Sequence, residues 1–162
     1  MVDGKKGFTI TEFLFAAAIM ILAAGGLVVF CVIAQSVWLT GNARIDLQQK
    51  SRMAMETMIR GSAEIEGIRE ATEIISPIVG ATDTSISFRD PSGNSRSFSA
   101  QAGKIVYVDE YGSSTNIVDG NVQSLTFTCM SLKRVEIGLS MAVTIRGKVI
   151  SADLATGVML RN

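Results

Sequence analysis

The chain has 162 residues, enough for one domain of ordinary size and an additional element. Lysine plus arginine equals aspartate plus glutamate, 15 of each, so the net charge is zero and nothing indicates the basic stripe of a nucleic-acid-binding protein. The absence of histidine removes the commonest general base and the commonest metal ligand. The two cysteines, Cys31 and Cys129, lie in regions of different character, so a disulfide between them is not expected.

The apolar residues, 48% of the total, are concentrated near the N-terminus. From Phe13 to Ala34, 22 consecutive residues carry no charge. As a helix with a rise of about 1.5 Å per residue, this run would be roughly 33 Å long, enough to cross a hydrocarbon core about 30 Å thick. Lys5 and Lys6 precede the run, and such lysines usually stay in the cytoplasm. The C-terminal domain is therefore expected outside the cytoplasmic membrane.

Three interpretations of this segment compete: a cleaved secretory signal, a permanent anchor and a pilin-type helix. A signal could be cut after Val32-Ile33-Ala34, releasing a β-rich domain that starts at Gln35, but signal cores usually span only about 7–15 residues. A plain anchor leaves Glu12 unexplained, since a carboxylate costs about 2.5 kcal/mol or more at the bilayer centre and less near its edge. The simplest explanation for an anchor is that Glu12 reaches up to the headgroups.

Residues 5–12 read KKGFTITE and weigh against a plain anchor. They closely resemble the prepilin signature of type IV pilins and type II secretion pseudopilins. In that signature a basic leader and a glycine precede an aromatic first residue of the mature chain, and a glutamate stands at the mature chain's fifth position. Gly7, Phe8 and Glu12 match this pattern, whereas Thr11 replaces the family's usual aliphatic residue. The resemblance implies that prepilin peptidase cuts between Gly7 and Phe8 and that the new Phe8 amine is N-methylated.

The resemblance also implies a role for Glu12 in filament assembly. In the family, this glutamate pairs with the N-terminal amine of a neighbouring subunit, which neutralises two charges that an apolar filament core would otherwise not tolerate. The pair sets the axial register of the subunits. The implied partners are prepilin peptidase, other pilins or pseudopilins, the assembly platform of the inner membrane, and membrane lipid before assembly. No cofactor and no metal are implied.

The helix is predicted to continue to about Arg60, because apolar and charged residues alternate there at helical spacing. After Gly61-Ser62, the sequence predicts a second helix from Ala63 to Ile75. Two i,i+4 charge pairs would support it, Arg60/Glu64 and Arg69/Glu73. The predicted organisation is a leader over 1–7, a membrane and filament-core segment over 8–34, an amphipathic helical part over 35–76 and an antiparallel sheet over 77–162.

The C-terminal half has the period-2 pattern of β-strands. Strands are predicted at 85–89, 95–100, 105–108 and 122–130, and after a turn at Gly147-Lys148 a last strand or pair of strands runs to the C-terminus. The longest alternation, Val135 to Ile145, predicts one long strand with one buried face. The fold class is α+β and pilin-like: a long N-terminal helix packed on an antiparallel sheet. The C-terminal pattern resembles, less specifically, minor pilins and pseudopilins of the W and J types.

No catalytic constellation is present in the sequence, and an enzyme is the least supported class. Asp90, Ser92 and Asn94 have the alternating oxygens of a calcium loop, but Pro91 and the lack of a bidentate glutamate favour a plain turn. Cys129 is predicted to be a small buried apolar side chain. The expected function is that of a minor pilin or pseudopilin. The alternative is a membrane-anchored binding module that never polymerises.

Overall fold

The computed structural model describes residues 9–161, which form one long helix, one short 3-10 turn and nine strands. The helix, α1, spans Ile10–Arg60, and the 3-10 turn spans Ile68–Glu70. The strands are β1 Glu73–Ser76, β2 Thr82–Asp83, β3 Ser85–Arg89, β4 Ser95–Gln101, β5 Lys104–Val108, β6 Ser114–Val118, β7 Val122–Ser131, β8 Arg134–Ile145 and β9 Lys148–Met159. The chain divides between Gly41 and Asn42 into two compact units. We call residues 9–41 the helical unit and residues 42–161 the domain.

The helical unit consists of the N-terminal part of α1, which is apolar on every side. Within the described part of the chain, α1 is the one helix long and apolar enough to cross a membrane. Its large side chains are exposed, with Phe15 73% and Leu22 77% accessible. A helix apolar all round is typical of a membrane span or of the interior of a helical assembly. The predicted spanning helix is thus confirmed in length and composition.

The domain contains two antiparallel sheets. The first has the strand order β1-β3-β4-β5-β6 and the second the order β2-β7-β8-β9. β8 is the long alternating strand that the sequence predicts, and all of its residues pair with β9 in an uninterrupted register from Arg134↔Met159 to Ile145↔Lys148. The antiparallel architecture and the α+β class are therefore confirmed, although the predicted single sheet is in fact two.

One hydrophobic core joins both sheets to the C-terminal part of α1. The inward faces of β3, β4 and β5 contribute Phe88, Phe98 and Tyr107. The rings of Phe88 and Phe98 stack at a centroid distance of 5.6 Å, and the Tyr107 ring packs on Phe98 at 5.2 Å with a tilt of 43°. From α1, Leu47 and Met58 are almost completely buried in the same cluster. Of the three methionines in this part of α1, Met55 and Met58 are buried, whereas Met53 is 68% exposed.

The predicted second helix over Ala63 to Ile75 is wrong. α1 ends at Arg60 because Gly61 adopts a φ of +80°, a conformation that favours glycine. The chain then makes a tight loop, a 3-10 turn and strand β1. Neither predicted i,i+4 pair forms: Arg60 bonds to Glu56 instead, and Glu73 bonds to Arg89 of β3. Of the isoleucines that suggested one helix face, Ile65 and Ile68 are buried but Ile75 is 43% exposed, so their spacing fits a helix and their burial does not.

Candidate functional site at the start of the helix

The sequence-predicted site falls at the boundary of the described structure. Lys5, Lys6, Gly7 and Phe8 lie outside the described residues. Glu12 lies within them, in the first turn of α1. Of the residues in the predicted assembly site, Glu12 is thus the one whose surroundings the structure describes.

Glu12 and Thr9 form a reciprocal hydrogen-bonded cap at the start of α1. The Thr9 backbone N–H and the Thr9 hydroxyl both donate to Oε2 of Glu12, at 3.0 and 2.9 Å. In return, Oγ1 of Thr9 accepts the backbone N–H of Glu12 at 3.3 Å. This is the capping-box arrangement, in which a Ser or Thr before the helix and a Glu or Gln three residues later satisfy donors that the helix leaves without partners.

The cap leaves part of the Glu12 carboxylate available. Both hydrogen bonds from Thr9 reach Oε2, and Oε1 has no partner among residues 9–161. Glu12 is exposed, and a carboxylate in the first helical turn is stabilised by the positive end of the helix dipole. The Glu12 carboxylate can therefore stay charged at the N-terminal end of the apolar segment and still bind a cation through Oε1.

The sequence analysis missed the role of Thr9. Its signal was present, since Thr9-Ile10-Thr11-Glu12 has the T-x-x-E spacing of a capping box directly before an apolar run. The cap gives Glu12 a structural role that neither the headgroup explanation nor the prepilin resemblance contains. Any test of Glu12 must therefore separate its charge from its capping hydrogen bonds.

The domain contains a second polar centre, where the β3–β4 and β5–β6 connections meet. Asp90, 3% exposed, accepts the Arg96 Nε–H at 2.8 Å and the Asn94 backbone N–H at 2.8 Å. Arg96 also contacts Glu110 at 2.5 Å and donates to the Tyr107 hydroxyl at 3.0 Å. Burial raises the pKa of Asp90, but the Asn94 N–H and the Arg96 guanidinium outweigh it and hold that pKa below its usual range.

This network has the features of a structural element. Both oxygens of Asp90 are already occupied by donors, which agrees with the predicted plain turn at Asp90, Ser92 and Asn94. Among residues 9–161, no group of three or more acidic or cysteine side chains is arranged to hold a metal ion. Cys129 is buried, as the sequence predicts, and burial raises the pKa of its thiol.

Comparisons with protein-family models, with curated protein sequences and with solved structures found no match to this chain. Function is therefore inferred from the residues at the start of the chain and from the architecture.

Proposed function

We propose that this protein is a subunit of a type IV pilus or of a type II secretion filament, in the manner of a minor pilin or pseudopilin. Prepilin peptidase cuts between Gly7 and Phe8, and the Phe8 amine is methylated. The helical unit rests in the inner membrane with the domain outside the cytoplasm, and the assembly platform later extracts it into a filament. As a minor subunit, it would start the filament or lie at its tip.

The observation that carries this proposal is the carboxylate of Glu12 at the start of a helix that is apolar on every side. The exposed side chains of the helical unit, Phe13 and Phe15 among them, need cover from lipid or from other helices. When other helices replace lipid, a charge in the first turn needs a cationic partner. Cleavage before Phe8 would supply such a cation, and Oε1 of Glu12 is available to accept it.

A second candidate function is supported by the capping box itself. A helix that only anchors a binding domain also benefits from a good N-terminal cap, and Thr9 with Glu12 provides one without any neighbouring subunit. In that case the protein is a single-pass anchor that does not polymerise. Neither Gly7 nor the charge of Glu12 would then be needed.

The substitution Glu12→Gln separates these two functions. Glutamine can take the glutamate's place in a capping box, so the substitution removes the charge and keeps the cap. A filament subunit would lose incorporation into filaments while its amount in the membrane and its cleavage stay unchanged. Filament incorporation is measured by immunoblotting of sheared filament fractions against the membrane fraction.

The matched control is Thr9→Ala, which weakens the cap and keeps the charge. The filament proposal expects Thr9→Ala to assemble far better than Glu12→Gln. Equal assembly of Glu12→Gln and the unmodified chain would favour the plain anchor. Intact mass and N-terminal sequencing, with and without co-expressed peptidase, give an independent check, since an uncut chain beside an active peptidase would refute the filament proposal.

A further inference from the structure

We infer that a second copy of this chain docks against the domain, with the loop at the end of α1 in one copy entering a charged recess beside α1 in the next. This contact rests on the proposed filament function and identifies a surface through which the domains of neighbouring subunits would meet. Two features of the domain support it, the recess and the loop, and their charges are opposite.

The recess lies between one flank of α1 and strand β9 and has a volume of about 370 Å³. The α1 wall is formed by Arg44, Gln48 and Arg52, which lie at successive i,i+4 positions and so share one helix face. The β9 wall includes Asp153. β9 is an edge strand of twelve residues with no bulge, and its outer side has no strand partner among residues 9–161. Unprotected edges of this kind are typical of surfaces that another chain covers.

The two arginines of the recess have no ion-pair partner within the described part of the chain. The other helical basic residues that lie near an acidic side chain are paired, Lys50 with Asp46 at 2.8 Å and Arg60 with Glu56 at 3.7 Å. Asp153 forms no ion pair with either arginine, so the recess has one excess positive charge. It therefore suits an incoming carboxylate.

The loop between Gly61 and Gly67 presents carboxylates in the complementary way. The Ser62 N–H donates to the Ile65 carbonyl at 2.7 Å, and Gly61 and Glu66 form an isolated β-bridge, so the loop is closed on itself. Buried Ile65 anchors it to the core, and exposed Glu64 and Glu66 flank that anchor. Neither carboxylate has an ion-pair partner among the residues that the structure describes, whereas nearby Glu70 and Glu73 are paired with Arg161 and Arg89.

The two glycines allow this loop to close tightly. A Cβ on Gly67 would clash with the Gly61 nitrogen, and a Cβ on Gly61 would clash with the Ile65 carbonyl oxygen. Larger residues would force the two sides of the loop apart. The carboxylates are therefore carried on a closed backbone, and less backbone order has to be gained on docking than from an open loop.

The contact joins different patches of two identical chains, and with parallel helices it shifts one copy along the axis relative to the next. The offset from Gln48 to the end of α1 is about 18 Å at a rise of about 1.5 Å per residue. A contact with such an axial shift is head-to-tail and repeats as an open helix, which is the geometry that a filament needs. A closed two-fold dimer would instead require antiparallel helices, with the loop of each copy in the recess of the other.

The test is a cross-link between two differently tagged copies of the full chain in the membrane and filament fractions. One copy carries Gln48→Cys and the other Ala63→Cys, both in a Cys31→Ala background, and a short bis-maleimide joins them. These positions flank the charged groups without removing them. We expect a cross-linked product that contains both tags.

Charge reversal then tests the specificity of the contact. Arg44→Glu with Arg52→Glu in the first copy should lower the cross-linked yield about tenfold, since two exposed ion pairs become repulsive. Glu64→Arg with Glu66→Arg in the second copy should restore it. Asp153→Asn should raise the yield, because it removes the like charge from the recess. Arg146→Glu with Lys148→Glu, an equal reversal elsewhere on the surface, should leave it unchanged.

The N-terminus is sequenced in the same samples, so the two proposals can fail separately. Chains cut before Phe8 and present in filaments but not cross-linked would refute this contact and leave the filament function intact. Cross-linked chains that remain uncut would refute the filament function and leave this contact intact. A yield that falls on arginine reversal and is not restored by the glutamate reversal would show that the arginines contact another part of the second copy, and it would refute docking of the loop in the recess.

Discussion

The helical unit and the core of the domain differ in whether their charged groups have partners and their apolar side chains are buried. In the domain, Asp90 is 3% exposed and is matched from within the chain by Arg96 and the Asn94 N–H. In the helical unit, Glu12 keeps one oxygen without a partner among the described residues, and the phenylalanines around it are exposed. The buried core of the domain is thus satisfied within one chain, whereas the helical unit exposes an apolar surface that its surroundings must cover. This difference separates residues that maintain the fold from residues to which the proposed function assigns a role in assembly.

The largest expected effect distinguishes two phenylalanines. Phe98 is fully buried and stacks on Phe88 and Tyr107, so Phe98→Ala should lower the free energy of unfolding of the domain by about 3–5 kcal/mol. Phe15, 73% exposed in the helical unit, is the matched control, and Phe15→Ala should change that free energy by less than about 0.5 kcal/mol. The measurement is alkylation of buried Cys129 against urea concentration, on detergent-solubilised full chain that carries Cys31→Ala. Similar losses for both variants would contradict the division into a self-sufficient domain and a dependent helix.

The second effect concerns the buried charges of the domain. Arg96→Met leaves the Asp90 carboxylate buried with only the backbone N–H groups of Asn94 and Ser92 as partners, so we expect a loss of about 3 kcal/mol in the free energy of unfolding, at the lower end for a broken buried pair. The double variant Arg96→Met with Asp90→Asn removes the unpaired charge and should recover part of that loss. The same thiol-alkylation assay measures it. A double variant no better than the single one would show that the arginine acts through packing alone.

Particular residues show how far the sequence could lead. The eleven-residue alternation from Val135 to Ile145 identifies β8 because period-2 burial on one face has no helical equivalent. The helix predicted from Ala63 to Ile75 was wrong because isoleucines three and seven residues apart fit a helix as well as a loop with irregular burial. β6, Ser114–Val118, was missed because its first three residues are polar and exposed, which removes the alternation that marks a strand.

The candidate site was predictable only in part, for a physical reason. Glu12 and its threonine cap are three residues apart, so a local pattern contains their contact. The recess between α1 and β9 brings Arg52 and Asp153 together across about a hundred residues of chain, and the Arg96 network joins two separate turns. Contacts of that kind depend on strand order, which no local pattern specifies.

The pH dependence of domain stability should follow Asp90. Its pKa is lower in the folded domain than in the unfolded chain, so its stabilising contribution is complete above the usual aspartate value of about 3.9 and is lost as the pH falls through the folded value. The unmodified domain should therefore lose more stability below about pH 4 than the Asp90→Asn variant does. The difference is measured by urea unfolding of both proteins at pH values above and below about 4, monitored by near-ultraviolet circular dichroism. Parallel acid profiles would assign the acid sensitivity to other carboxylates.

The smallest expected effect is the loss of the Thr9 cap, which should change the helical unit and not the domain. Thr9→Ala removes the hydroxyl that donates to Glu12 and accepts its N–H, and the loss of such a cap typically costs about 1 kcal/mol. The cost should appear as faster amide hydrogen exchange over residues 10–13 in detergent, without any change in urea unfolding of the domain, because the first turn of α1 lies in the helical unit. Glu12→Gln should leave that exchange nearly unchanged, since glutamine maintains the cap. Fast exchange in both variants would mean that the charge itself stabilises the turn, and the loss of filament assembly in Glu12→Gln could then no longer be assigned to the charge alone.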